Sequence, residues 1–150
     1  MELPLIAVLN GPNLNMLGFG EPDLYGAATL DDLEQICAET ALELGLAIDF
    51  RQTNSEGEII SWVQECRGRA AGIVINPGGY AGTSVALMDA LRAVELPVVE
   101  VELTNGQRRE AFRRGSLAAR AAVGVIAGFG LRGYALALEG MADILRERAG

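Results

Sequence analysis

The sequence predicts a single α/β domain, residues 1–150, in which a doubly wound five-stranded parallel sheet carries helices on both faces. Short apolar runs alternate with amphipathic helical segments along the whole chain, a pattern typical of strand–helix–strand units. The runs are nearly continuously apolar, as expected of strands that are buried on both faces. A chain of 150 residues, half of them apolar, suits one domain with one core.

Five segments are predicted to be strands, and each of them is followed by residues that favour turns or loops. They are residues 5–9, 46–52, 72–76, 98–103 and 123–127. Right-handed crossovers restrict such a sheet to a doubly wound topology, and ligands of these sheets bind beyond the carboxyl ends of the strands. The candidate site is therefore formed by residues 10–28, 52–56, 76–83, 102–108 and 127–132.

The helices are predicted from apolar periodicity and from the residues that begin and end them. Thr29 can cap the first helix with Asp32 in the capping-box position, and Gly45 ends it. Pro97 prevents continuation of the third helix. The predicted helices are residues 30–44, 56–69, 84–94, a short one at 108–114, and 133–148.

Composition excludes several classes of partner. The formal charge is −8, no segment is strongly basic and every basic side chain is arginine, so nucleic acid and anionic membranes are not expected to bind. Cys37 and Cys66 are expected to be buried thiols rather than a secreted disulfide framework. The apolar run at residues 3–9 is too short for a signal peptide or a membrane span. We therefore expect a cytoplasmic protein.

The chain contains no histidine, the side chain whose ordinary pKa lies closest to neutrality. Acid–base chemistry at neutral pH would therefore depend on tyrosine, carboxyl, thiol or arginine groups whose pKa is shifted by their surroundings. An acidic metal site built from Glu21, Asp89, Glu100 and Glu102 would suit a hard cation, but nothing in their spacing fixes it, and no metal is expected.

Four groups of motifs resemble the type II dehydroquinase (3-dehydroquinate dehydratase) family. The first is LNGPNLNMLG at residues 9–18, followed by EP at 21–22 and YG at 25–26. The second is NPGGY at 76–80, with TSVAL at 83–87 and DAL at 89–91. The third and fourth are VEV at 99–101 with Asn105, RE at 109–110 and FR at 112–113, and GFG at 128–130 with GY at 133–134. Several motifs in order over nearly the whole chain are far more specific than one glycine pattern.

The resemblance implies a flavodoxin-like fold, trimers assembled into a dodecamer, no metal and no organic cofactor. It also implies elimination of water from 3-dehydroquinate through an enolate, with a lid tyrosine as base and a histidine as acid. Tyr25 matches that base and Asn13 matches the asparagine beside the enolate. The positions that match the family's substrate-binding residues are Asn76, Gly82, Asp89 (offered across a subunit interface), Leu103, Thr104 and Arg113.

The chain departs from the family's pattern where that pattern carries positive charge or imidazole. Gly20 stands in place of the lid arginine, Gly82 in place of one histidine and Glu102 in place of the catalytic histidine. Met88 replaces a residue that is often arginine. The pocket is therefore expected to be wider and less cationic than in the family.

These departures leave two roles open for Glu102 and two for the protein. Glu102 is either the acid, with its pKa raised by Glu100 on the same face of the strand, or a charge partner for Arg109. Tyr25 is either the base or a loop tyrosine without a role. The protein is accordingly either a lyase of weak or altered activity that binds a small cyclic keto or hydroxy carboxylate, or a non-catalytic pseudoenzyme that binds a metabolite or joins a true dehydroquinase.

Overall fold

A computed structural model describes residues 2–19 and 26–150. The predictions that concern Gly20, Glu21 and Tyr25 lie outside the described residues. Five parallel strands form one sheet in the order β2-β1-β3-β4-β5. The strands are β1 (Leu5–Asn10), β2 (Ala47–Gln52), β3 (Gly72–Asn76), β4 (Val98–Glu102) and β5 (Gly124–Ala127). The predicted α/β fold with a doubly wound parallel sheet is confirmed.

Helices cover both faces of the sheet. They are α1 (Leu30–Leu44), α2 (Glu56–Glu65), α3 (Val85–Ala93) and α4 (Arg132–Ala149). Helices α1 and α4 pack on one face around Val8, Val74 and Tyr134, while α2 and α3 cover the other face around Leu9, Ile75 and Leu87. No helix among residues 2–19 and 26–150 is long and apolar enough to cross a membrane.

The ends of the first helix match the prediction in detail. The Thr29 hydroxyl oxygen accepts from the backbone N–H of Asp32 at 3.2 Å, and the Asp32 carboxylate accepts from the Thr29 N–H at 2.9 Å. Gly45 follows the last turn with φ 73°, a left-handed conformation that costs glycine little. Both free thiols, Cys37 and Cys66, are buried, as expected.

Two predicted helices differ in the structure. The short helix predicted at 108–114 is wrong: two 3-10 helices, Gly106–Arg108 and Ala111–Arg113, stand there, separated by extended backbone at Arg109 and Glu110. The second helix was expected to reach residue 69 but ends at Glu65. Gly68 adopts φ 77° shortly beyond Glu65, so the chain turns before the end of the sequence periodicity that predicted the helix.

The register of the sheet brings polar residues together at its carboxyl edge. Asn10, the last residue of β1, lies opposite Gln52 of β2 on one side and Asn76 of β3 on the other. Along β4, Glu100 lies opposite Ile75 and Glu102 lies opposite Ala127. The strand ends and the turns that follow them therefore form one continuous polar edge.

The turn after β1 packs directly on the turn after β3 at Gly11. A Cβ atom at Gly11 would lie 2.4 Å from the Pro77 carbonyl oxygen, whereas one at Gly79 would meet nothing within 4 Å. We predict that Gly11→Ala lowers the free energy of unfolding by about 2 kcal/mol or more, because backbone must move to admit the methyl group. Gly79→Ala should change it by less than about 1 kcal/mol. Urea unfolding of both variants measures the difference, and equal stability of the two would contradict the close approach.

Candidate functional site

The turn after β1 is held by side chains from the end of β2. Asn13 has φ 71°, a left-handed conformation that asparagine tolerates better than most residues, and its N–H donates to the Asn54 Oδ1 at 3.0 Å. The Gln52 Nε2 donates to the Gly11 carbonyl at 3.1 Å and to the Asn54 Oδ1 at 3.1 Å. The side chain of Asn13 is exposed at the edge, where a ligand can reach it.

Asn76 ends β3 and is buried. Its Oδ1 accepts from the Gly78 N–H at 3.1 Å and its Nδ2 donates to the Tyr134 hydroxyl at 3.0 Å. The sequence placed Asn10, Gln52 and Asn54 in the segments of the candidate site but did not predict their hydrogen bonds. It did not place Tyr134 there, because the Asn10 partner of Tyr134 lies 124 positions away.

A cleft opens beside β4 and β5. It is lined by the two glutamates of β4, by residues of the loop that follows and by residues of β5, and the lining includes Glu100, Glu102, Asn105, Arg113, Ser116 and Val125. The structure therefore brings two of the predicted site residues, Glu102 and Arg113, into one cleft. Asn13, Asn76, Asp89, Leu103 and Thr104 do not line it.

Glu100 is one of the residues that line this cleft, and only 1% of its surface is exposed. The Ser116 hydroxyl donates to the Glu100 Oε1 at 2.6 Å, and the same Ser116 oxygen accepts from the Ala119 N–H. Burial raises the pKa of Glu100 to about 7; the Ser116 hydrogen bond lowers it and the neighbouring charge of Glu102 raises it. A carboxyl group that is half protonated near neutrality thus lies beside the cleft.

Glu102 is the residue for which the sequence left an acid and a charge partner open. Burial raises the pKa of Glu102, and the positive charge of Arg109 opposes that shift without cancelling it. Arg109 also donates from Nη1 to the Thr104 hydroxyl at 3.5 Å. Burial, rather than the charge of Glu100 that the sequence suggested, is thus the cause that raises the pKa of Glu102, and both interpretations of Glu102 keep a physical basis.

Arg113 reaches the cleft from the 3-10 helix Ala111–Arg113. Its Nε donates to the Glu110 Oε2 at 2.9 Å, and its guanidinium lies 5.1 Å from the centre of the Phe112 ring. An exposed ion pair of this kind is worth roughly 0–1 kcal/mol. Arg113 can therefore exchange Glu110 for the carboxylate of a ligand at little cost.

Gly82 and Asp89 lie apart from the first cleft. Gly82 lines a second, shallower one with Phe112, Ser116 and Arg120, and a Cβ atom there would lie 3.7 Å from the Phe112 carbonyl oxygen, an ordinary contact. Asp89 is exposed on α3 and Met88 is half-buried. One chain alone does not bring Asp89 to either cleft, so its part in a neighbour's site stays a prediction.

Leu103 and Thr104 follow β4. The Leu103 side chain is buried and its carbonyl oxygen accepts from the Gly130 N–H at 2.9 Å, so this pair is fixed against the turn after β5. Tyr25, the predicted base, lies outside the described residues. Among the residues that the structure does describe, no buried side-chain nitrogen or oxygen lacks a hydrogen-bond partner.

The chain is similar to known proteins over nearly its full length. The family model described as dehydroquinase class II matches residues 4–142. The 3-dehydroquinate dehydratase 2 of Pseudomonas putida is 60% identical over 146 residues, which cover 97% of this chain and 98% of that protein. That of Pseudomonas aeruginosa is 57% identical, covering 92% of this chain and 93% of that protein.

The chain is also similar to solved structures of type II dehydroquinases. The crystal structure of the type II dehydroquinase from Propionibacterium acnes superimposes with a TM-score of 0.91 at 41% identity, covering 95% of this chain and 98% of that one. The five-stranded sheet, the polar edge at its carboxyl side and these matches assign the chain to the class II dehydroquinase family. The resemblance read from the sequence motifs is confirmed.

Glu100 makes the stability of the fold depend on pH. Its pKa of about 7 in the folded chain exceeds its ordinary value of 4.5, so the folded state binds the proton more tightly. The free energy of unfolding is therefore expected to fall as pH rises from about 4.5 to about 7 and to stay low above that. Glu100→Gln keeps an acceptor for Ser116 and removes the charge, so it should add up to about 3 kcal/mol at about pH 8.

The control is Glu139→Gln, which removes one negative charge from an exposed position on α4. Urea unfolding of the two variants and the parent at about pH 4 and about pH 8 separates burial from net charge. A gain at pH 8 in both variants, or in neither, would contradict the burial of a charged carboxyl at residue 100.

Proposed function

We propose that this protein is a carbon–oxygen lyase that binds 3-dehydroquinate, or a closely related small cyclic keto or hydroxy carboxylate, and eliminates water with Glu102 as the acid. The observation that carries the proposal is the place of Glu102. It stands at the carboxyl end of β4 in the cleft that Arg113 also lines, and burial raises its pKa. The names of the relatives, 3-dehydroquinate dehydratases at up to 60% identity, support the choice of substrate.

The residues that we propose to bind the substrate favour an anionic ring with several oxygen substituents. Arg113 offers a guanidinium for a carboxylate, and Asn76 and Asn13 offer amides at the neighbouring strand ends. Thr104 adds a half-buried hydroxyl group. These groups match the family's carboxylate and enolate subsites and need no metal or organic cofactor.

The proposed reaction removes a proton from the carbon next to the ring ketone and expels the hydroxyl group on the following carbon. Tyr25 takes the proton, Asn13 stabilises the enolate oxygen, and Glu102 gives its proton to the leaving hydroxyl so that water departs. The product is a conjugated enone. The charge of Glu102 in turn contributes to the raised pKa of Glu100, so a second carboxyl group beside the cleft holds a proton near neutrality.

The rate at neutral pH is expected to be low, because the chain has no histidine and glycine stands at residue 20, where the family's pattern has the lid arginine. A tyrosine with an ordinary pKa near 10 is ionised in only about one molecule in a thousand at pH 7. A glutamic acid is a weak acid catalyst once pH exceeds its pKa. As pH falls from about 10 towards the raised pKa of Glu102, the gain of protonated Glu102 is offset by the loss of Tyr25 phenolate, so the rate of elimination is expected to change little with pH in this range.

A second candidate function is metabolite binding without turnover, alone or in mixed oligomers with an active dehydroquinase. The observation that favours it is that no histidine stands anywhere in the chain. Where no active dehydroquinase joins it, we propose that the protein forms the homo-oligomeric trimer and dodecamer of the family, located in the cytoplasm. Asp89, exposed on α3, would then reach the site of a neighbouring subunit.

Turnover of 3-dehydroquinate, followed by ultraviolet absorbance of the enone, separates the candidates. We predict slow but measurable elimination by the parent protein and a further loss of roughly 10²–10⁴-fold in Glu102→Gln, because an amide cannot donate the acid proton. Glu43→Gln, an exposed change on α1, is the matched control and should leave the rate unchanged. An equal effect of the two changes would contradict the role of Glu102.

The triple change Gly20→Arg/Gly82→His/Glu102→His extends the same assay. Imidazole at residue 102 is a stronger acid catalyst near neutrality and a guanidinium near Tyr25 favours the phenolate. We expect the triple variant to exceed the parent by at least tenfold. If the parent and the triple variant both bind 3-dehydroquinate and neither turns it over, the protein is a binder rather than a lyase.

A further inference from the structure

Three buried polar side chains form a continuous hydrogen-bonded group under the carboxyl edge of the sheet. The Tyr134 hydroxyl, in the first turn of α4, donates to the Asn10 Oδ1 at 2.6 Å and accepts from the Asn76 Nδ2 at 3.0 Å. Tyr134 and Asn10 are 0% exposed and Asn76 is 4% exposed. The group joins the ends of β1 and β3 to α4.

The donor and the acceptor of each hydrogen bond in this group can be assigned. Burial raises the pKa of Tyr134, so the phenol keeps its single proton, and that proton goes to Asn10. The phenol oxygen can then only accept, so it faces the NH₂ end of Asn76. At the other end of each amide, the Asn10 Nδ2 donates to the Arg51 carbonyl at 3.0 Å and the Asn76 Oδ1 accepts from the Gly78 N–H at 3.1 Å.

A purely apolar residue at 134 would leave the Asn76 Nδ2 without its acceptor in the core. The Gly78 N–H would then hold the Asn76 amide from one end only, since turning the amide over would oppose two donors. The turn that begins at Pro77 would therefore be less firmly attached to the end of β3. The phenol oxygen and the Gly78 N–H thus favour the same orientation of Asn76, one from each end of the amide.

We propose that Tyr134 is a positioning residue of the ligand site, which fixes the Asn76 amide so that its one remaining N–H is available to a carboxylate or carbonyl oxygen of the ligand. An amide nitrogen has two hydrogens, and Tyr134 uses one of them. The ligand part of this inference rests on the proposed function, since Asn76 is there assigned to binding the cyclic carboxylate. The inference that Tyr134 orients the Asn76 amide rests on the hydrogen bonds alone.

The test compares Tyr134→Phe with Met141→Ala. Phenylalanine removes only the oxygen atom. Met141 is 0% exposed on the same helix and packs in the same core as Tyr134, so its truncation lowers stability without removing a polar contact. The first measurement is hydrogen exchange by mass spectrometry in peptides that cover residues 76–83, and the second is the Kd of the intact protein for 3-dehydroquinate by calorimetry.

We expect the Gly78 amide to exchange at least about tenfold faster in Tyr134→Phe and the Kd to rise by about tenfold, as for one misplaced hydrogen bond. Met141→Ala should lower the melting temperature while leaving the exchange rate of the Gly78 amide and the Kd unchanged. Equal exchange in the two variants, or rapid exchange of the Gly78 amide in the parent protein, would overturn the orienting role.

Hydrogen exchange tests whether Tyr134 orients Asn76, and the Kd tests separately whether Asn76 binds the ligand. If the parent protein binds no 3-dehydroquinate, the proposed function is wrong, and hydrogen exchange alone still decides whether Tyr134 orients Asn76. If the parent binds 3-dehydroquinate and Tyr134→Phe accelerates exchange without changing the Kd, Asn76 is oriented by Tyr134 but contributes nothing to the ligand, and the positioning role in the site is rejected.

Discussion

The parallel pairing of β1, β3 and β4 is the constraint on which the site depends, because it places the ends of three strands at one edge of the sheet. Asn10 and Asn76 are direct neighbours in that register, and Glu100 is fixed one strand further on, opposite Ile75. Polar side chains at such an edge cannot all reach water. They must therefore bond to one another or remain uncharged.

The structure satisfies this requirement in two ways. On the side of α4 the solution is a hydrogen-bonded group of neutral side chains, in which the Tyr134 hydroxyl joins two amides. On the opposite side the solution is a shifted pKa: burial raises the pKa of Glu100, the Ser116 hydrogen bond lowers it in part, and the charge of Glu102 raises it. The first solution gives rigidity to the ends of β1 and β3, and the second keeps a proton near the cleft at neutral pH. A chain without histidine can retain acid–base chemistry only by the second route.

The sequence predicts the elements well because each is determined locally. Thr29, Asp32 and Gly45 determine the ends of α1 through their own hydrogen bonds and dihedral angles. The prediction of a helix at 108–114 was wrong because Glu110 adopts extended backbone. The helix propensity of Glu110 does not reveal this. Among the candidate site residues, Glu102 and Arg113 line one cleft, and their roles there stay predictions. The partners of Glu100 and Asn76 could not be predicted, since Ser116 and Tyr134 reach them only after the intervening chain has folded.

Acid–base chemistry in this chain depends on a carboxyl group beside β4 that holds its proton near neutrality. The most direct measurement is the ¹³C chemical shift of the glutamate side-chain carboxyl carbons, titrated from about pH 4 to about pH 9, with Glu100→Gln and Glu102→Gln used for assignment. We expect that Glu100 titrates near pH 7, that Glu102 titrates above the ordinary glutamate value of 4.5, and that each signal disappears in its own variant. Titration of all glutamates near 4.5 would contradict the raised pKa of both carboxyl groups.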